Sequence, residues 1–424
     1  MTLTDLLDRR ERGFGPNAPL FYDRPLHIVR GEGCWMWDAE GTRYLDCYNN
    51  VPQLGHCHPH VVKALCTQAQ QLNIHTRYLN ELVLEYAERL TALVPSPDLD
   101  RAMFVCTGTE ANELALRMAR YTSGKQGVIV SDFSYHGNSG GLAALTTGLP
   151  HPEPIADFAR AVKIPDPYRW QGSEAEMVES HLRMVDEAIQ SLETAGHGVA
   201  AVLFDTIFST EGLLDVPHAY FQGLIERVRA AGGFAIADEV QAGFGRMGDA
   251  MWGFAPTGVT PDLVTMGKPM GNGHPIGGVV THSAMADSFT RDALYFNTFG
   301  GNPVSAAVGI AVLDVIEKEG LVEHADTMGR YLQQQLQEIA DRHACVGDVR
   351  GRGLFAAVEL VGRDGIPDAA LAQAVVNGMR ERKVLISKIG PADNVLKIRP
   401  PLCLGRAEID LLAEALAESI AVFS

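Results

Sequence analysis

The sequence predicts an α/β chain: a large, mostly parallel sheet covered by helices on both faces, joined to a smaller α+β domain. Two observations predict it. From about residue 59 to 310, short continuous apolar runs alternate with amphipathic stretches. Strands that are apolar on both faces are buried on both, as helices on either side of a parallel sheet require. After residue 303 the texture changes to two long helical stretches followed by shorter strands. The 424 residues suffice for two domains with their own cores.

Residues 1–49 are expected to form a loose N-terminal arm and then a hairpin. Its strands, Cys34-Trp-Met-Trp-Asp38 and Arg43-Tyr-Leu-Asp-Cys47, flank the turn signal Glu40-Gly41. Strands over 102–106, 127–131, 199–204 and 234–237 follow, with helices over 81–93, 109–120, 173–195 and 220–231. The Pro-rich stretch 150–170 reads as a surface excursion. Helices over 303–319 and 322–343 lead into a strand pair within 348–360. A helix near 368–382, strands at 384–387 and 395–399, and a helix near 406–421 complete the chain. The predicted division is 1–49 (arm and hairpin, part of the small domain), 50–310 (large domain) and 311–424 (C-terminal small α+β domain).

A formal charge of −17 without a basic block argues against nucleic-acid and anionic-membrane partners. No run approaches the roughly 18 apolar residues that span a bilayer. The first ten residues carry acids and no apolar signal core. Seven scattered cysteines without a Cys-x-x-Cys pair suggest reduced thiols. The expectation is a cytoplasmic protein.

Lys268 follows a short apolar strand and opens a glycine-rich turn, and Asp238 ends the run Phe234-Ala-Ile-Ala. A lysine and an aspartate at successive strand ends suit pyridoxal 5'-phosphate (PLP). The lysine binds the coenzyme covalently, and the aspartate keeps its ring nitrogen protonated. A solvent-facing loop lysine is the alternative. In Val105-Cys-Thr-Gly108-Thr109-Glu, a strand gives way to a helix whose unpaired N–H groups could bind phosphate, although Thr109 also reads as a simple N-cap. Tyr135, beside His136, could stack on a planar coenzyme. Val240 could pack on its other face, and Gln241 could bond its hydroxyl.

Two motifs point elsewhere. Gly243-Phe-Gly245-Arg-Met-Gly248 matches a dinucleotide fingerprint by letter, but the residues after it are broken by Gly and Pro and cannot supply the required helix. His56-Cys-His58-Pro-His60 resembles a metal cluster, but neighbours in an extended segment alternate sides. No metal site is expected.

Together, Gly108-Thr-Glu-Ala-Asn112, Tyr135-His-Gly137, Asp238-Glu-Val-Gln241, Gly267-Lys268 and Thr298-Phe-Gly-Gly-Asn302 resemble the class III (ω-type) aminotransferase family. The resemblance implies PLP fold type I, with a large, mostly parallel seven-stranded-type sheet. It implies that Gly108 and Thr109 hold the coenzyme phosphate, Tyr135 stacks on the ring, Asp238 pairs with its nitrogen and Lys268 carries it. It also implies a homodimer with shared active sites, in which Thr298 reaches the neighbouring subunit's phosphate.

Within the family, segments such as Asp46-Cys-Tyr-Asn49-Asn50-Val, Tyr295-Phe-Asn-Thr-Phe and Asn394-Val-Leu-Lys397-Ile-Arg399-Pro-Pro resemble the ethanolamine-phosphate phospho-lyases. Family transaminases typically carry Arg three residues before the Pro-Pro pair, gripping a substrate carboxylate. Here the slot holds Lys397, which lacks the bidentate fork. The leading expectation is therefore a lyase that removes phosphate and ammonia from a small phosphorylated amine such as O-phosphoethanolamine. Arg77, Lys397, Arg399 and Asn50 are its candidate substrate residues. An aminotransferase passing an amino group to a keto acid is the alternative, and an inactive PLP-fold binding protein is the third reading.

Overall fold

The computed structural model describes residues 2–16, 18–150 and 152–423. Strands β1 (Ile28–Glu32), β2 (Trp35–Asp38) and β3 (Arg43–Asp46) open the chain. The large sheet holds β4 (Arg101–Val105), β5 (Gly127–Ser131), β6 (Ala159–Val162), β7 (Val199–Asp205), β8 (Phe234–Asp238), β9 (Leu263–Met266) and β10 (Gly277–Thr281). Its order is β4-β10-β9-β8-β7-β5-β6. The run β9-β8-β7-β5-β6 is parallel throughout, and β10 lies antiparallel between β4 and β9. The connection from β9 to β10 has no room for a crossover helix, so the chain must reverse. Every residue of β5 and β7 is buried, as strands covered on both faces should be.

Strands β11 (Val346–Arg352), β12 (Phe355–Leu360), β13 (Val384–Leu385), β14 (Ser387–Ile389) and β15 (Val395–Ile398) complete the set. The antiparallel sheet β11-β12-β15-β14 forms one unit, while β13 joins β1-β2-β3 by pairing parallel to β3. The single strand expected at 384–387 is thus divided at buried Ile386 between two sheets.

Two expectations need correcting. The arm is not loose over its first residues: Leu3–Phe14 is a helix started by a reciprocal cap between Thr2 and Asp5, and none of its side chains is buried. The 150–170 stretch is also more than an excursion, because it supplies the edge strand β6. His151 lies outside the described residues. The expected hairpin turn forms around Asp38, whose Oδ1 accepts from the N–H groups of Glu40 (3.1 Å) and Thr42 (2.7 Å). Among the described residues, no helix is long and apolar enough to cross a membrane.

Candidate active site

Parallel strands bring their carboxyl ends to one edge, where ligands of open α/β sheets bind. β4 runs into the helix Gly108–Ser123, whose N-cap is Thr107. Its hydroxyl accepts from the Glu110 N–H at 3.1 Å, so the capping role open to Thr109 belongs to Thr107. Thr109 is left to face the cavity, its hydroxyl donating to Asn138 Oδ1 at 3.3 Å. Gly108 is required here by space: a Cβ would lie 2.8 Å from Val240 Cγ2. The N–H groups of Gly108 and Thr109, ahead of the capped Glu110, stand beside the cavity without a partner among the described residues.

Asp238 ends β8 and is buried. Its Oδ2 accepts from Asn112 Nδ2 and faces His136 Nδ1, both at 2.8 Å, and its Oδ1 accepts from the Val240 N–H at 3.0 Å. Asn112 is itself held by Thr265, which donates to its Oδ1 at 2.6 Å. Burial alone would raise the Asp238 pKa, but His136 and these hydrogen bonds outweigh it and hold it below the usual carboxylate value. Burial likewise opposes the charge on His136, and Asp238 more than restores it, so the His136 pKa is raised. Asp238 thus presents an ionised carboxylate at the cavity wall, with His136 behind it.

Lys268 begins the 3-10 turn that follows β9. Burial first, and then the charge of Arg399, lower its pKa, while Asp238 and Asp205 act in the opposite direction. Lys268, Asp238, His136, Val240, Gln241, Gly108, Thr109 and Tyr135 line one cavity of about 320 Å³. That volume suits a small coenzyme.

The substrate candidates are placed unevenly. Lys397, within β15, and Arg399, just after it, are not among the residues lining this cavity. Lys397 Nζ donates to the Ser209 carbonyl at 2.8 Å. Arg399 donates to Gln241 Oε1 and to the Tyr48 carbonyl, the latter at 2.8 Å. Asn50 is buried, and its Nδ2 has no hydrogen-bond partner among the described residues. Arg77 and Thr298 lie outside the cavity on exposed segments, and Arg77 stacks 3.8 Å from the centre of the Phe296 ring.

The two distracting motifs have structural accounts. Residues 243–248 form turns rather than a helix start. His56, His58 and His60 face three different carboxylates, Asp46, Glu319 and Asp314.

Residues 21–420 match the family model described as Aminotransferase class-III. The chain belongs to the class III aminotransferase family. This family member is 42% identical to the alanine–glyoxylate aminotransferase 2-like protein of Drosophila melanogaster, over 97% of this chain and 85% of that protein. It is 35% identical to ethanolamine-phosphate phospho-lyase homolog 1 of Caenorhabditis elegans, over 96% and 91%. A phospholyase from Arthrobacter, solved in complex with phosphoethanolamine, superimposes with a TM-score of 0.97 at 51% identity, covering 99% of this chain and 100% of that one. As a class III family member the protein is a PLP-dependent enzyme, of the lyase or aminotransferase kind.

The residues present fit that coenzyme. The cavity joins a half-buried lysine, an ionised buried carboxylate and a helix N-terminus where a Cβ at residue 108 would collide with Val240. Sequence reasoning missed Thr107, Asn112 as the link between Thr265 and Asp238, and Asp205. Asp205 ends β7 in register with Asp238 on β8 and lines the same cavity. The signal for Asp205 was legible, because it closes the apolar run 199–204 as Asp238 closes 234–237.

Proposed function

We propose that the enzyme is a phospho-lyase that cleaves a small phosphorylated primary amine, O-phosphoethanolamine being the substrate its chemistry fits best. The observation that carries this reading is Lys397. Its buried amine stands in the slot where a transaminase needs a planar fork, burial and then the Arg399 charge push its pKa well down, and its partner is a backbone carbonyl rather than a carboxylate. Arg399 stands beside it. The likeness to the Arthrobacter phospholyase supports the same reading.

In this reading Lys268 and Asp238 do the work common to the family. The coenzyme, when bound, supplies a covalent link to the substrate's amine and an electron sink for the carbon beside it. Asp238, held ionised, keeps the ring nitrogen protonated. Gly108, Thr109 and the helix they begin would hold the coenzyme phosphate, Tyr135 and Val240 would pack against its ring, and His136 supports Asp238 from behind. Lys268, with its ammonium form disfavoured, has a free Nζ lone pair to take a proton from the amine-bearing carbon. Lys397 and Arg399 offset the negative charge that builds on the departing phosphate as the C–O bond breaks and its electron pair leaves with oxygen. Phosphoethanolamine and water then balance to phosphate, ammonia and acetaldehyde.

The reading includes a homodimer. Leu79 (97% exposed), Leu294 (95%) and Phe299 (70%) stand on two segments joined by the contact of Arg77 with Phe296. An apolar surface of this kind marks an interface, and it would carry Thr298 and Arg77 to a neighbouring subunit's cavity. Amino transfer remains the second reading because of the 42% identity to an aminotransferase-like relative. The test is to supply phosphoethanolamine without a keto acid. Phosphate and acetaldehyde should appear in equal amounts. Background phosphate, together with alanine formed from pyruvate and an amine donor, would establish the aminotransferase instead.

A further inference from the structure

The turn after β7 carries polar side chains that the mechanism above does not use. Asp205 Oδ1 accepts from the Ile207 N–H at 3.1 Å, and Oδ2 accepts from the Ser209 N–H at 3.1 Å and from the Ser209 hydroxyl. Phe208 adopts a left-handed backbone (φ 48°) to make this turn, and Ser209 is fully buried. From that fixed position Ser209 makes two further bonds. Its carbonyl accepts from Lys397 Nζ at 2.8 Å, and its hydroxyl oxygen accepts from Gln241 Nε2 at 2.5 Å. The far end of the Gln241 amide accepts from Arg399. One residue thus tethers both cations, Lys397 directly and Arg399 through Gln241.

The arrangement answers a physical problem. Two basic side chains side by side oppose each other's charge, as Arg399 does to Lys397, and long side chains lose binding energy if they must be ordered when the ligand arrives. Each of these has instead a fixed neutral acceptor, with Asp205 as the nearby counter-charge. We propose that Ser209 is a specificity-determining positioning residue, which holds Lys397 and the Gln241–Arg399 pair as a preformed receptor for the anionic end of the substrate. This inference rests on reading Lys397 and Arg399 as the cations that receive substrate phosphate.

Ser209→Ala removes the hydroxyl and leaves the carbonyl, so it releases the Gln241 amide that positions one end of Arg399, while Arg399 keeps the Tyr48 carbonyl and Lys397 keeps its tether. Gln241→Ala breaks the same hydrogen bond from its other end. Inorganic phosphate serves as a competitive inhibitor of the holoenzyme acting on phosphoethanolamine. Either substitution should raise its inhibition constant about tenfold, the scale of one charge-linked hydrogen bond. In Ser209→Ala, whose side chain does not line the coenzyme cavity, KM should rise more than kcat falls, with the coenzyme absorbance retained. The double variant should be no worse than the poorer single one, because both break one link. If Ser209→Ala does not yield folded holoenzyme, Gln241→Ala carries the test alone. An unchanged inhibition constant in the variants, or additive losses in the double variant, overturns the inference while leaving the phospho-lyase reading standing. A wild-type enzyme that turns over phosphoethanolamine but is not inhibited by phosphate overturns the inference alone, and one that releases no phosphate from phosphoethanolamine overturns both.

Discussion

Asp238 and Glu211 are both buried carboxyls near one sheet edge, yet their surroundings push them toward opposite protonation states. Asp238 has His136, Asn112 and a backbone N–H around it and is held ionised. Glu211 has one hydroxyl donor, Ser131, and its Oε2 has no hydrogen-bond partner among the described residues. Burial, reinforced by Asp205, pushes its pKa up to about 8. Burial does the same to Glu239, raising it to about 7. Both folded values lie above the unfolded one, so each group's contribution is complete at acid pH and is lost as pH rises through the folded pKa. The window for Glu211 runs from about 4.5 to about 8. Replacing the acid with its neutral isostere removes one titration, at most about 1.4 kcal/mol per pH unit. Glu211→Gln should therefore gain stability relative to wild type as pH rises across that window. Thermal midpoints at pH steps would show this, and a constant difference between the two proteins would contradict it. The residue scale was the least legible in sequence. Lys268, Asp238, Gly108 and Tyr135 could be named from their positions at strand ends. Glu211 and Ser209 lie in a turn whose geometry only the folded backbone reveals.

At the scale of elements, periodicity carried most of the information. The helix expected over 173–195 forms as Glu174–Thr194 behind a Ser173 capping box, and that over 406–421 as Arg406–Phe423. Long periodic segments advertise themselves, whereas short ones depend on partners. The run at 384–387 looked like one strand because all its apolar residues are buried. Only tertiary pairing divides it into β13 and β14. The helix Leu3–Phe14 escaped because it has charge on every turn and buries nothing within its own chain, leaving its cap as the sole sequence signal. Thr107 and Thr109 are both plausible caps by letter. Backbone geometry decides between them, since Thr107 is extended (φ −145°, ψ 159°) and Thr109 is already helical.

At the scale of the whole molecule, the large sheet gathers Asp205, Asp238, Lys268 and the start of the helix Gly108–Ser123 at one edge, and the segment at β15 carries Lys397 and Arg399 from the second sheet. Thr298 and Arg77 fall outside the cavity of a single chain. Two-fold pairing through the Leu79 and Leu294 surface would bring them in. The protein should therefore sediment at twice its 45.9 kDa chain mass. Leu294→Asp should favour the single chain and depress activity in proportion. A fully active monomer would contradict the shared site. All of this chemistry depends on the coenzyme being carried at position 268. Borohydride reduction of the holoenzyme, followed by peptide mass mapping, tests that most directly. The account predicts one pyridoxyl adduct per chain, on the peptide containing Lys268, and none in Lys268→Ala. An adduct at another lysine, or none at all in an active enzyme, would contradict it.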